Sequence, residues 1–272
     1  MVLCRIMTSE SLNFGIAAMW KHPVSETLNQ MSLQSLFRQE LPAIHVPGFA
    51  ALAECQALLL AAEQFGFGFY QDVSPPISRL GLTQFEHSLA DRRAYFESVD
   101  ETAVTLARIF EKSFDPLSRF VELVRILTKF VPQFAFEDGF GAYHAGVLRK
   151  IEQGTPVHVD YAPWEAKGWA VSTVRAQLTW NVYLTTNEVD GRTTVFDKAW
   201  NESDEGMKIP GSYGYLDEVV AGCDRHTFCP RAGDLVIFNS QNFHAVEKSS
   251  AKRAAFGSFL GLAEGRSVSF WS

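Results

Sequence analysis

The sequence predicts a mainly β protein with helices, built as a jelly-roll-like double-stranded β-helix that carries an N-terminal helical layer. Two textures along the 272 residues predict it. Through about residues 25–136 apolar side chains recur at helical spacing. After Pro132, short runs rich in β-branched and aromatic residues are separated by Gly, Asn, Asp and Pro. With 47% hydrophobic residues the chain can fill one substantial core, and no linker or repeat divides it. We therefore expect a single domain over residues 1–272, helical to about 136 and β from about 137, with an insert near 201–228.

In chain order, Leu28, Met31, Leu33 and Leu36 mark a first helix. The turn Pro47-Gly48 precedes a second over 52–65, where Leu58, Leu59, Ala62 and Phe65 recur. A third is expected over 102–114. Asp115-Pro116 opens a fourth over 117–130, because proline at a first helical position forfeits no hydrogen bond. These helices should form a layer on one sheet. Strands are expected at 142–151, 157–161, 175–185, 193–197, 234–239 and 254–262. Residues 201–228 are first rich in Asp, Glu, Gly and Ser and then contain Tyr213-Gly214-Tyr215, so they read as a long loop over the mouth of the barrel.

Lys and Arg number 24 against 31 Asp and Glu, a formal charge of −7, so no basic face exists to neutralise a nucleic-acid backbone. A small anionic ligand stays compatible with a local arginine. Cys4, Cys55, Cys223 and Cys229 include no Cys-x-x-Cys pair. Cys223 and Cys229 bracket Asp224-Arg225-His226 but lack the second pair of a zinc knuckle, so reduced thiols and a cytoplasmic setting are expected. The opening 20 residues include Arg5 and Glu10, and their apolar stretches are too short for a signal peptide or a membrane span.

The chemistry-bearing pattern is His158-Val159-Asp160 with a distant His244, followed nine residues later by Arg253. Two imidazoles and one carboxylate can occupy one face of an octahedral metal and leave the other face open to ligands. On a strand, side chains two apart point the same way, so His158 and Asp160 should converge and His244 need only arrive from another strand. His22, His45, His87, His144 and His226 have no comparable partners and read as surface or core residues, although His144 lies on an expected strand and could face the pocket.

His158-x-Asp160, the Gly233-Asp234 turn before a strand, His244 and Arg253 together resemble the C-terminal half of Fe(II)/2-oxoglutarate-dependent oxygenases. Gln177-Leu178-Thr179-Trp180-Asn181-Val182-Tyr183-Leu184, Asn187-Glu188-Val189-Asp190-Gly191, Ala199-Trp200-Asn201 and Phe270-Trp271-Ser272 are similar to the freestanding halogenases of hapalindole- and welwitindolinone-type alkaloids. A fainter similarity reaches Tyr95-Phe96-Glu97-Ser98. The resemblance implies Fe(II) on His158, Asp160 and His244, 2-oxoglutarate chelated to it, dioxygen as oxidant, and Arg253 on the C5 carboxylate of 2-oxoglutarate. In those halogenases a small residue stands at the carboxylate position and makes room for chloride. The retained Asp160 implies instead a hydroxylase, similar to the standalone hydroxylases of free and N-substituted amino acids.

Further site residues follow from the same resemblance. Thr179, Asn181 and Tyr183 alternate on one face of an expected strand, and Tyr183 is placed like the phenol that prolyl hydroxylases of this superfamily offer to 2-oxoglutarate. Where many relatives have Ser or Thr two residues after the arginine, this chain has Ala255, so a second contact to the C5 carboxylate must come from elsewhere. Arg79, in Ile77-Ser78-Arg79-Leu80-Gly81, is the expected substrate anion clamp and Trp164 the expected aromatic wall. The expected substrate is a small molecule, an amino acid derivative or an amino-acid-derived natural product, and a homodimer is left open. Desaturation, cyclisation or halogenation at the same centre, and a non-catalytic cupin-like binding protein, are the alternatives.

Overall fold

The computed structural model describes residues 20–263 and 267–272, so Cys4 and nearly all of the opening segment lie outside the described residues. The α-helices are α1 (Gln30–Phe37), α2 (Leu52–Phe65), α3 (Arg92–Glu97), α4 (Val99–Phe110), α5 (Pro116–Leu127) and α6 (Ala162–Glu165). Local chemistry sets their ends. Asn29 caps α1 by accepting from the Met31 and Ser32 amides, while Ser32 answers the Asn29 amide. Asp115 caps α5 through the Ser118 amide, with Pro116 as its first residue. Helix α2 has the expected limits. Helix α4 starts and stops a few residues earlier than the expected 102–114, and α5 ends at Leu127 rather than 130, where the Thr128 hydroxyl turns back onto the Val124 carbonyl.

The strands are β1 (Ile44–Val46), β2 (Gly68–Phe69), β3 (Ser78–Leu80), β4 (Val131–Phe134), β5 (Phe136–Glu137), β6 (Gly141–Ala142), β7 (Val147–Lys150), β8 (Thr155–His158), β9 (Ala176–Thr185), β10 (Thr193–Ala199), β11 (Arg225–Phe228), β12 (Leu235–Asn239), β13 (Asn242–Val246), β14 (Ala254–Leu262) and β15 (Ser267–Trp271). A nine-stranded sheet runs β1-β12-β9-β14-β7-β3-β2, with β15 and β4 attached through β14, and a four-stranded sheet runs β11-β10-β13-β8. Apart from the parallel β15–β4 pair, the ladders are antiparallel. This two-sheet arrangement is the expected jelly roll with its helical layer. No helix among the described residues is long and apolar enough to cross a membrane.

Strand β9 shows how the layers form. Its even residues Leu178, Trp180, Val182 and Leu184 join the core beneath the helices, with Leu33, Leu36, Leu58, Phe120 and Val124. Its odd residues Gln177, Thr179, Asn181 and Tyr183 line a cavity on the opposite face. A period of two thus divides one strand between packing and chemistry.

Several expectations are corrected. The helical half also contains β1 to β4, of which β1, β3 and β4 pair with β12, β7 and β15, far away in sequence. The expected strand 142–151 breaks into β6 and β7, because Gly146 has φ +102° and a Cβ there would stand 2.4 Å from the Phe256 ring. The expected strand 157–161 ends at His158, where the chain turns into α6. The last residues of the 201–228 insert are not loop but β11, paired with β10.

Candidate metal and co-substrate site

His158 on β8 and His244 on β13 are direct cross-strand partners, so both rings leave the same face, with centroids 4.1 Å apart. Asp160 reaches them differently from the expected strand alternation. Past the end of β8 its amide donates to Ser240 O (2.9 Å), and the Gln177 side chain bridges Asp160 O and the Ala162 amide at 3.0 and 2.8 Å. That clamp holds the turn so that one ligand atom from each of His158, Asp160 and His244 lies within 4.8 Å of the others.

The donor set fits a divalent metal. The Nδ1 atoms of His158 and His244 face the carbonyl oxygens of Pro156 (2.9 Å) and Asn242 (3.0 Å). A carbonyl only accepts, so each Nδ1 carries the proton and each Nε2 lone pair is free for the cluster. Burial lowers the His158 pKa to about 4, which keeps it neutral and ligating near neutrality. Burial pushes the Asp160 pKa up, but the two adjacent imidazoles and the Arg149 cation outweigh it and hold it down to about 2. A neutral His158 and an ionised Asp160, with His244 Nε2 facing the same point, make a donor set that suits iron with open coordination positions.

The cluster opens into a cavity of about 610 Å³ between the two sheets. Arg253 is 4% exposed in its wall. Its Nε and Nη2 donate to Gly191 O (3.0 Å) and Thr193 Oγ1 (2.9 Å), and its guanidinium stands 5.2 Å from the centre of the Tyr183 ring. Thr179, Tyr183 and Trp164 also line the cavity, and the Trp164 ring packs tilted against Trp200 with centroids 4.7 Å apart. Arg79 does not line it. Its Nε meets Glu86 at 2.7 Å and its Nη1 donates to Gly81 O, so its charge is already paired. His144 does not face the cavity either but is buried against Gly146 O, whereas His87 does line it. His45 gains a partner, Asp234, across β1 and β12. Cys55, Cys223 and Cys229 are free.

Sequence reasoning missed Thr193, Tyr213, Gln177, Arg149 and Tyr70. The insert folds back so that the Tyr215 amide donates to Val157 O, which sets the Tyr213 ring edge-on to His158 at 5.2 Å. The Tyr-Gly-Tyr cluster was the available signal for this contact. Nothing local marks Gln177, whose role arises from a contact with another element.

Fold, cluster and arginine together define a 2-oxoglutarate-dependent non-haem iron oxygenase. Residues 24–272 match the family described as WelO5, carrier-protein-independent halogenase, and the chain belongs to that family. It is 32% identical over 235 residues to the leucinostatins biosynthesis cluster protein S of Purpureocillium lilacinum, covering 80% of this chain and 94% of that protein. It is 33% identical over 130 residues to the L-gamma-glutamyl-L-propargylglycine hydroxylase of Streptantibioticus cattleyicolor, covering 47% of this chain and 48% of that protein. Among solved structures, an N-substituted L-amino acid dioxygenase from Burkholderia ambifaria AMMD superposes with a TM-score of 0.64 at 14% identity, covering 89% and 91% of the two chains, a likeness of fold. Membership in an enzyme family sets aside the cupin-like binding protein.

Proposed function

We propose that this oxygenase hydroxylates an unactivated C–H bond of a small molecule, an amino acid derivative or an amino-acid-derived natural product. One observation carries the choice of hydroxylation: the Asp160 carboxylate stands in the His158–His244 cluster, at the position a halide would need. The partial match to a hydroxylase of a modified dipeptide supports the substrate class. The net charge of −7 favours a small-molecule substrate over nucleic acid, and a cytoplasmic setting belongs to the same proposal.

When bound, iron and 2-oxoglutarate supply the oxidising equivalents, with dioxygen consumed and 2-oxoglutarate converted to succinate and carbon dioxide. The residues of this chain bind, orient and exclude water. His158, Asp160 and His244 would hold the metal. Arg253, steered by Gly191 O and Thr193, would present a planar cation to the C5 carboxylate of 2-oxoglutarate. Thr193 and Tyr183 flank that arginine and stand in for the hydroxyl contact that Ala255 lacks. Tyr213, edge-on to His158, and Trp164 line the cavity and limit the water it admits.

Anaerobic titration of metal-free protein with Fe(II) and 2-oxoglutarate tests the site. The expected result is a weak visible charge-transfer band that His244→Ala abolishes and Arg253→Ala weakens. Screening free and acylated amino acids for succinate release and oxygen insertion then tests the reaction. Bound metal without the band, or chlorinated rather than hydroxylated product in chloride buffer, would overturn the reading.

A further inference from the structure

Arg149 and Lys150 end β7 and leave it on opposite faces. Lys150 reaches out to Glu63 at 2.9 Å, while Arg149 turns inward to the cavity wall. The Nε of Arg149 donates to the Tyr70 hydroxyl at 2.8 Å. Among the described residues no carboxylate comes within ion-pair distance of it. The other partly buried arginines differ: Arg79, Arg92 and Arg119 are paired with Glu86, Glu137 and Glu54. Asp160 and Glu86 reach Arg149 only through space. A cation withdrawn from bulk water without a counter-ion is unfavourable, and an anionic ligand in the cavity would offset that.

The co-substrate's arginine is separate from this one. Arg149 pairs across the sheet with Ala255, and Ala255 pairs in turn with Tyr183. Arg253 turns toward Gly191, Thr193 and Tyr183, whereas Arg149 turns toward Tyr70, so the methyl-sized Ala255 lies between two cationic positions. The wall near α6 offers an apolar and aromatic surface in Phe85, Leu89, Trp164 and Trp169, interrupted by His87, Glu165 and Lys167, the last of which lies over the Trp164 ring at 3.4 Å.

We propose that Arg149, oriented by Tyr70, binds the carboxylate of the primary substrate, whose apolar body lies against Phe85, Leu89 and Trp164. The substrate class is then a carboxylic acid with an apolar body, such as an N-acylated apolar amino acid with a free carboxyl group. The proposal rests on the hydroxylase reading for the presence of a second organic ligand beside 2-oxoglutarate. Arg149 is here the specificity determinant and Tyr70 its positioning residue.

Isothermal titration calorimetry on protein loaded with Mn(II) and 2-oxoglutarate, under conditions without turnover, tests it. The probes are N-acetyl-L-leucine, N-acetyl-L-phenylalanine and N-acetyl-L-tryptophan, each beside its neutral carboxamide. At least one acid should bind about 10- to 100-fold more tightly than its amide, the range expected of a charge-assisted contact. Arg149→Met should erase that preference, Arg149→Lys should retain part of it, and Tyr70→Phe should reduce it several-fold. Arg149→Met with Fe(II) and 2-oxoglutarate should keep the charge-transfer band. No preference for any acid, or a preference that survives Arg149→Met, would overturn the proposal, and loss of the band would assign Arg149 to the co-substrate instead. Absence of the band in the unsubstituted protein would sink the hydroxylase reading, whereas an Arg149-dependent acid preference would stand without it.

Discussion

His144 offers a test of burial that is independent of the metal. It sits in the link from β6 to β7, 4% exposed, with Nε2 donating to Gly146 O at 2.9 Å. Its amide donates to the Tyr95 hydroxyl at 3.2 Å and its carbonyl accepts from Ser272 N at 2.8 Å. Burial lowers its pKa from 6.5 to about 4, with only the Gly146 contact opposing. The unfolded chain therefore binds the proton first, and stability is fully present above pH 6.5 and lost as the pH falls toward 4. At one pKa unit per about 1.4 kcal/mol, the loss assigned to His144 between pH 7 and pH 4.5 is about 2.5 kcal/mol. His144→Gln keeps a donor for Gly146 O and removes the titration. Urea unfolding of metal-free protein at both pH values should show the unsubstituted protein losing about 2.5 kcal/mol more than the variant. Equal losses, within about 0.5 kcal/mol, would mean that His144 accepts its proton in the folded state and that the site is hydrated.

Three further outcomes are expected. Arg253→Lys keeps the charge but loses the fork shared with Gly191 O and Thr193, so the 2-oxoglutarate concentration for half-saturation should rise by about 10-fold or more with metal affinity retained; an unchanged value would remove Arg253 from the site. Trp180→Ala empties a fully buried volume against Phe120, whose ring lies 4.4 Å away, and strands Ser258, so denaturant unfolding should show about 3–5 kcal/mol lost; a loss below about 1 kcal/mol would refute the packing. Asp160→Gly should slow hydroxylation by about 10-fold or more and open a position to halide, read by product mass in chloride buffer; an unchanged hydroxylation rate would show that Asp160 is not a metal ligand.

Much of the fold was legible because the signals are local. The limits of α2 follow from Pro47-Gly48 on one side and Gly66 on the other, and α5 begins where Asp115-Pro116 says it must. Strand β14 matches the expected 254–262 residue for residue. The alternation of β9 placed Thr179, Asn181 and Tyr183 on one face before any neighbour was known. Strands β2 and β3 escaped notice because two or three residues carry no readable period, and β11 because its alternation is masked by the polar insert before it.

The site divides in the same way. His158, Asp160, His244 and Arg253 could be named from spacing and residue chemistry, since a metal triad and an arginine beyond it form a pattern along the chain. Which arginine carries a free charge could not be named. Arg79 and Arg149 pair with each other across β3 and β7, and both looked equally basic in the sequence. Glu86, seven residues beyond Arg79, neutralises one, and Tyr70 orients the other toward the cavity. Asp160 likewise owes its place to Gln177 and Ser240 rather than to its strand. Sequence determines which groups are available and which face of an element they occupy, because those depend on periodicity along the backbone. Their charge state, partners and convergence depend on neighbours that only the closed pair of sheets brings within hydrogen-bond range.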